Sequence, residues 1–191
     1  MRCHTAVLSV MGSAFVVAGT GVGAASDAGS DAQLLKALAA SRHSLADGIR
    51  QAQASPPETA ISAKFEMDDN GQLALSVYTA EKGLVVDAEH NVLKEIIGSP
   101  VEDTWSPKTE VFTDVPHVSR SAQQLAVVAL SPFSLADVIK RAEKNQPGSV
   151  YSVIPVLRDR KPVFAVLVAS GGKTVELTYN AMTGAVVKRG K

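Results

Sequence analysis

Ser44-Leu45-Ala46-Asp47 returns ninety positions later as Ser134-Leu135-Ala136-Asp137, and the surrounding sequence returns with it. Residues 31–64 set against residues 121–154 share thirteen identities in thirty-four ungapped positions. Self-similarity at a fixed offset is the mark of a duplicated structural unit. The reading is an α+β chain of two tandem repeats, each with one helix and a short preceding helix packed on a three- to four-stranded antiparallel sheet. Units this small bury little core alone, so the two are expected to pack together or to share a sheet.

Working outward from the repeated tetrapeptide, Ser44 and Ser134 are helix N-caps with Asp47 and Asp137 three residues on, near the positive end of the helix dipole. Leu45, Ile49 and Ala52, matched by Leu135, Ile139 and Ala142, form an apolar stripe at i, i+4, i+7. Pro56-Pro57 and Pro147-Gly148 stop both helices. Upstream, Asp31 and Ser121 are the expected caps of the short helices. Leu34, Leu35 and Leu38 would form one buried face, and Leu125, Val128 and Ala129 the other. Pro132 separates the second short helix from the helix after it.

Downstream the period changes to two. Ile61, Ala63, Phe65 and Met67 alternate with Ser62, Lys64, Glu66 and Asp68, which predicts a strand with one wet face. Asp69-Asn70-Gly71 is a hairpin signal. Return strands follow at Leu73 to Val77, Leu84 to Val86 and Val92 to Ile97, with turns at Glu81-Lys82-Gly83 and Glu89-His90-Asn91. The second copy repeats the order as 150–157, 163–169, 174–178 and 185–188, with Pro155 requiring an edge or a bulge.

The predicted boundaries are a signal peptide at 1–25, a flexible leader at 26–30, the first repeat at 31–98, a linker at 99–120 and the second repeat at 121–191. Arg2, the apolar run Ala6 to Ala18 and the small residues from Gly21 to Ser26 carry the targeting reading. Cleavage would leave no cysteine, since Cys3 is the only one, and no transmembrane anchor. That composition excludes a disulfide scaffold, a thiol nucleophile and a cysteine-ligated metal. The formal net charge of zero, without any Lys/Arg run, argues against nucleic acid. Trp105, Val111 and Phe112 in the linker are expected to clasp one repeat.

No catalytic motif is present, so no catalytic residue, cofactor-binding residue or metal ligand is assigned and no cofactor is implied. His90 with Asp87 and Glu89, and His117 with Glu110 and Asp114, are the clusters that would serve a metal. The Asp68–Gly71 run lacks the loop length and terminal Glu of a calcium site and reads as a turn. Tyr78, Tyr151, Tyr179, Phe133 and Phe164 read as core packing.

The order of helix, Pro-Gly stop, antiparallel strands and closing turn resembles the PepSY domain. In the second copy the resemblance rests on Ser134 to Ile139, Pro147-Gly148-Ser149-Val150 and Asn180-Ala181-Met182-Thr183-Gly184-Ala185-Val186. The first copy keeps Asp87-Ala88 but lacks the Thr-Gly, and Glu58 stands where the glycine would be. The resemblance implies an exported α+β protein without catalysis, whose partner would be a peptidase or another protein. The reading is a periplasmic or secreted binding and regulatory protein holding an extended polypeptide at a strand edge or in the groove between repeats. The rival is a small-ligand or metal-sensing module.

Overall fold

The computed structural model describes residues 27–189, so the predicted signal peptide lies outside the described residues. The elements run α1 (Asp27–Ala37), a 3-10 turn (Leu38–Ala40), α2 (Leu45–Ala52), β1 (Thr59–Met67), β2 (Leu73–Ala80), β3 (Leu93–Gly98) and β4 (Lys108–Val111). They continue as α3 (Val115–Leu130), α4 (Leu135–Asn145), β5 (Ser149–Arg158), β6 (Lys161–Ser170), β7 (Lys173–Asn180) and β8 (Val186–Arg189). The class is α+β, as the alternation of helical and strand periods predicts.

All eight strands join one antiparallel sheet in the order β4-β3-β2-β1-β5-β6-β7-β8. The seam is β1 against β5, registered at Ala63 with Val153 and Lys64 with Ser152. Ala63 and Val153 stand ninety positions apart, so one pair of positions aligned in the repeat faces itself across the seam. Irregularities fall at Ile61, between Ala60 and Ser62, and at Tyr151, between Val150 and Ser152, again ninety apart. Pro155 lies two residues beyond the last seam pair, where β5 has no ladder with β1 left to break.

Both tetrapeptides cap their helices as read. Ser44 Oγ accepts from Asp47 N, Ser134 Oγ accepts from Asp137 N, and each aspartate accepts back from its serine in a capping box. Leu45, Ile49, Leu135 and Ile139 are 1–3% exposed. α2 packs on β1 and β2, and α4 on β5 and β6.

Several expectations are corrected. Asp31 lies inside α1, which already includes Asp27 to Ser30, the stretch read as a flexible leader. Ser121 lies inside α3, whose N-cap is Asp114, accepting from His117 N, with Pro116 in the first turn where a missing N–H costs nothing. Ala129 is exposed, and Gln124 and Val127 join Leu125 and Val128 on the buried face. The stretch read as a linker therefore carries β4 and the first turns of α3.

Leu84 to Val86 is not a strand. Asn91 Nδ2 donates to the Gly83 and Val86 carbonyls while its Oδ1 accepts from Lys82 N, so side-chain bonds hold the segment as a turn. β3 pairs directly with β2 instead. The predicted wet face of β1 is also covered, with Ser62 only 5% exposed. Leu75 abuts α2 at Gly48, whereas Ser62 and its cross-strand partner Tyr78 point the other way, toward Gln124 of α3 and toward Phe112. Side chains alternate between faces of a strand, so α2 and α3 lie on opposite faces and β2 is buried at every position.

Candidate functional site

Three surfaces follow from this architecture: a trough along α4, a groove between the two halves, and the free sheet edges. The trough, about 630 Å³, is lined by Phe133, Asp137, Lys140, Arg141, Lys144 and Asn145. Helical spacing brings these together, because positions 137, 140, 141 and 144 share one flank. Asp137 is committed to its cap, and the hydrogen bond from Ser134 Oγ at 2.7 Å holds its carboxyl below the usual carboxylate range. The Arg141 guanidinium lies 4.4 Å from the Phe133 ring centroid, a cation–π arrangement. Lys140, Arg141 and Lys144 form no salt bridge among the described residues. The matching positions of the first half are Arg50 and Gln51 in α2 and Ala54 just beyond it, and Arg50 is tied to Asp47.

The groove, about 390 Å³, lies between the turn leading into α2 and the α4–β5 connection. Phe65, Ile139 and Tyr151 form its apolar part and Arg42, His43 and Glu143 its polar rim. Its charged rim is partly occupied: Arg42 pairs with Asp103, and His43 Nε2 lies 2.9 Å from the Glu102 carbonyl.

The two edges differ. β4 is exposed at all four positions and carries Lys108 and Glu110, charges that discourage edge-to-edge pairing. β8 presents Val186 and Val187, 45% and 61% exposed, before its own charged residues Lys188 and Arg189.

The residues singled out in the sequence are dispersed. His90 Nδ1 meets Asp87 at 2.8 Å in an exposed turn, and His117 Nδ1 meets Asp114 at 2.7 Å at the start of α3. No three His, Cys, Asp or Glu side chains converge as a metal set among the described residues. Tyr78, Tyr151, Tyr179 and Phe164 are buried in the core, and only Phe133 of the aromatic set lines the trough. Trp105 is 2% exposed, with its carbonyl accepting from Gln51 Nε2, and Phe112 stacks edge-on against Tyr78. Val111 stays outside the clasp at 51% exposure.

A cluster missed in the sequence lies under α3. Glu66 Oε1 accepts from Ser76 Oγ at 2.6 Å, and Lys64 pairs with Glu66. Glu95 pairs in register with Tyr78 and Glu110, and its Oε1 is buried without a hydrogen-bond partner among the described residues. Burial pushes its carboxyl up, opposed by the Ser76 hydroxyl and the Lys64 charge and reinforced by the Glu66 and Glu110 charges, and burial likewise raises the Tyr78 phenol. Alternation placed these side chains on one face, the face on which α3 lies.

Comparison with known proteins bears on the second half. Residues 132–189 match the family model described as PepSY, the peptidase propeptide and YPEB domain. Residues 132–189 are a PepSY domain. No curated protein matches the chain. Among solved structures, a Clostridium difficile 630 protein described as a "putative lipoprotein" is 14% identical, with a TM-score of 0.40, over 78% of this chain and 93% of that one.

The PepSY domain contains the whole α4 trough and the β8 edge. Its short motifs have local physical reasons. Gly148 has φ +142°, and a Cβ there would lie 2.3 Å from the Ala169 carbonyl oxygen, so only glycine lets β5 start against β6. Asn180 Oδ1 accepts from Met182 N and Thr183 N, closing the turn before β8. Gly184, at φ +68°, donates its N–H to the Asn180 carbonyl and lies beneath Phe133 and Arg141. The PepSY turn thus supports the aromatic–guanidinium pair that lines the trough.

Proposed function

We propose that the chain is an exported, non-enzymatic binding and regulatory protein that holds an extended polypeptide, acting outside the cytoplasm in the periplasm or as a secreted protein. In this reading residues 31–98 are a second, degenerate PepSY-like copy, and a peptidase is the partner class that the domain description suggests. The observation that carries the reading is the β8 edge at one end of the sheet, where Val186 and Val187 are exposed ahead of Lys188 and Arg189. An extended segment added there would continue the sheet by main-chain hydrogen bonds. The matched register at Ala63 and Val153 supports the duplication.

The small-ligand or metal-sensing alternative gains nothing from His90 and His117, each of which is engaged by a single aspartate within its own turn. The test is affinity capture from an exported-protein extract, with native chain and a Val186→Lys/Val187→Lys variant side by side. A defined polypeptide retained by the native chain and lost from the variant is the expected result. No retained polypeptide, or equal retention by both, overturns the reading.

A further inference from the structure

The α4 trough combines features absent from the rest of the described surface. Three cations project from one helix flank and form no salt bridge among the described residues, while Asp137, the one carboxylate among them, is bound to its cap and feels the Lys140 and Arg141 charges without pairing to either. Arg141 is further held over Phe133, so part of its side-chain freedom is lost before any ligand arrives. The trough reaches the sheet at both ends, where Phe133 and Arg141 lie on Gly184 and where Asn145 Nδ2 donates to Tyr179 Oη at 3.1 Å. Tyr179 pairs with Val186, and directly opposed residues point to the same side of a sheet. The half-exposed Val186 therefore borders the cationic flank.

We propose that this flank of α4 is a docking surface for an acidic polypeptide segment, whose carboxylates meet Lys140, Arg141 and Lys144 and whose apolar side chains rest beside Phe133 and Val186. This rests on the polypeptide-binding reading and specifies the chemistry of the segment. Charge complementarity sets the sign of the occupant. A polypeptide fits better than a phosphate backbone because Asp137 interrupts the cations, the whole chain is electrically neutral, and an apolar border adjoins them. Arginine offers two parallel donors to a carboxylate, which makes Arg141 the orienting contact and the two lysines the diffuse ones.

The test uses the full chain and three fluorescein-labelled short peptides of alternating Glu and Val, Gln and Val, or Lys and Val, read by anisotropy at low and high salt. The Glu peptide should bind, weaken with salt as exposed charge pairs do, and outcompete the other two. Lys140→Gln/Lys144→Gln should weaken it by about tenfold, the size expected for two charge-assisted contacts at a partly exposed surface. Lys36→Gln/Lys161→Gln, which removes the same charge elsewhere, should leave it unchanged. Arg141→Lys, which keeps the charge but not the fork, should fall between.

Equal loss in both double variants would mean a nonspecific charge effect and overturns the proposal. So does binding that survives Lys140→Gln/Lys144→Gln, or tighter binding to vesicles of anionic lipid or to duplex DNA than to the Glu peptide. Failure of the Glu peptide while the capture experiment still yields a β8-dependent polypeptide would sink the acidic docking surface and leave the broader function standing.

Discussion

Ile49 and Ile139 occupy matched positions on α2 and α4, with exposures of 3% and 2%, yet their surroundings differ. Ile139 borders the groove between the halves, whereas Ile49 does not. Replacing either with alanine removes three side-chain carbons, a transfer loss of about 2.4 kcal/mol at roughly 0.8 kcal/mol per carbon. A closed site adds a cavity penalty that carries such substitutions toward about 4 kcal/mol. At Ile139 the vacated space would join a groove that water enters, so most of that addition should be missing. Ile139→Ala should therefore cost about 2–3 kcal/mol and Ile49→Ala about 3–4 kcal/mol, with Lys140→Ala on the wet face within about 0.5 kcal/mol. Urea denaturation followed by circular dichroism gives the three values, provided the slopes agree with the native protein. Equal midpoints for Ile139→Ala and Lys140→Ala would refute the assignment of the helix faces. A larger loss at Ile139 than at Ile49 would refute the groove argument.

Further outcomes follow from the caps, the glycines and the buried acid. Because the folded state holds the Asp137 carboxyl below its ordinary value, the aspartate's contribution is present above about pH 4 and is lost as pH falls through the depressed value. Asp137→Asn should thus be less stable than native protein at pH 7, with the gap closing in acid thermal melts; a gap independent of pH would contradict the cap's ionic character. Gly148→Ala should cost at least about 1–3 kcal/mol from backbone strain alone, whereas Gly171→Ala, with nothing within 4 Å of the new methyl, should cost about 1 kcal/mol; similar melting temperatures would argue against the tight β5–β6 start. Glu95 behaves oppositely to Asp137, since a raised carboxyl destabilises the fold when ionised and the penalty fades as pH falls through the raised value. Glu95→Gln should therefore melt higher than native protein at pH 8 and equally at pH 4, and a uniform decrease would show that Glu95 is held by a favourable contact instead.

What the sequence made legible was local. Ser44 with Asp47 and Ser134 with Asp137 had to cap helices because side chain and backbone donors satisfy each other within four residues. Asp68 accepting from Asn70 N and Gln72 N shows the same self-sufficiency at the first hairpin. The failures are those in which distant segments decide. Leu84 to Val86 alternates well enough for a strand, but Asn91 donates to the Val86 carbonyl and to that of Gly83 just before the segment, and so holds it as a turn. Ser121 is a good cap that a better one, Asp114, makes redundant. The trough was invisible because Phe133 reads as core until the positions of α4 and Gly184 show Arg141 lying over its ring.

The seam explains why α3 had to depart from the simple pattern. β1 and β5 register at only two positions, too short a ladder to hold two halves of a sheet rigidly by itself. α3 packs on β5 and also on β1 and β3, with Leu125, Val127 and Val128 buried, so the helix that starts the second half spans the first. Gln124 Oε1 accepts from Ser62 Oγ at 2.9 Å where both side chains are buried, and this bond fixes the helix against β1 on the face that alternation alone would have left wet. Burying Ser62 is tolerable only because its hydroxyl finds that partner. Extending α3 upstream to Asp114 places His117 in its first turn, stacked on Phe112, which in turn meets Tyr78 edge-on. The helix that braces the seam also packs on β3, the strand that carries Glu95, and burial there raises the Glu95 carboxyl.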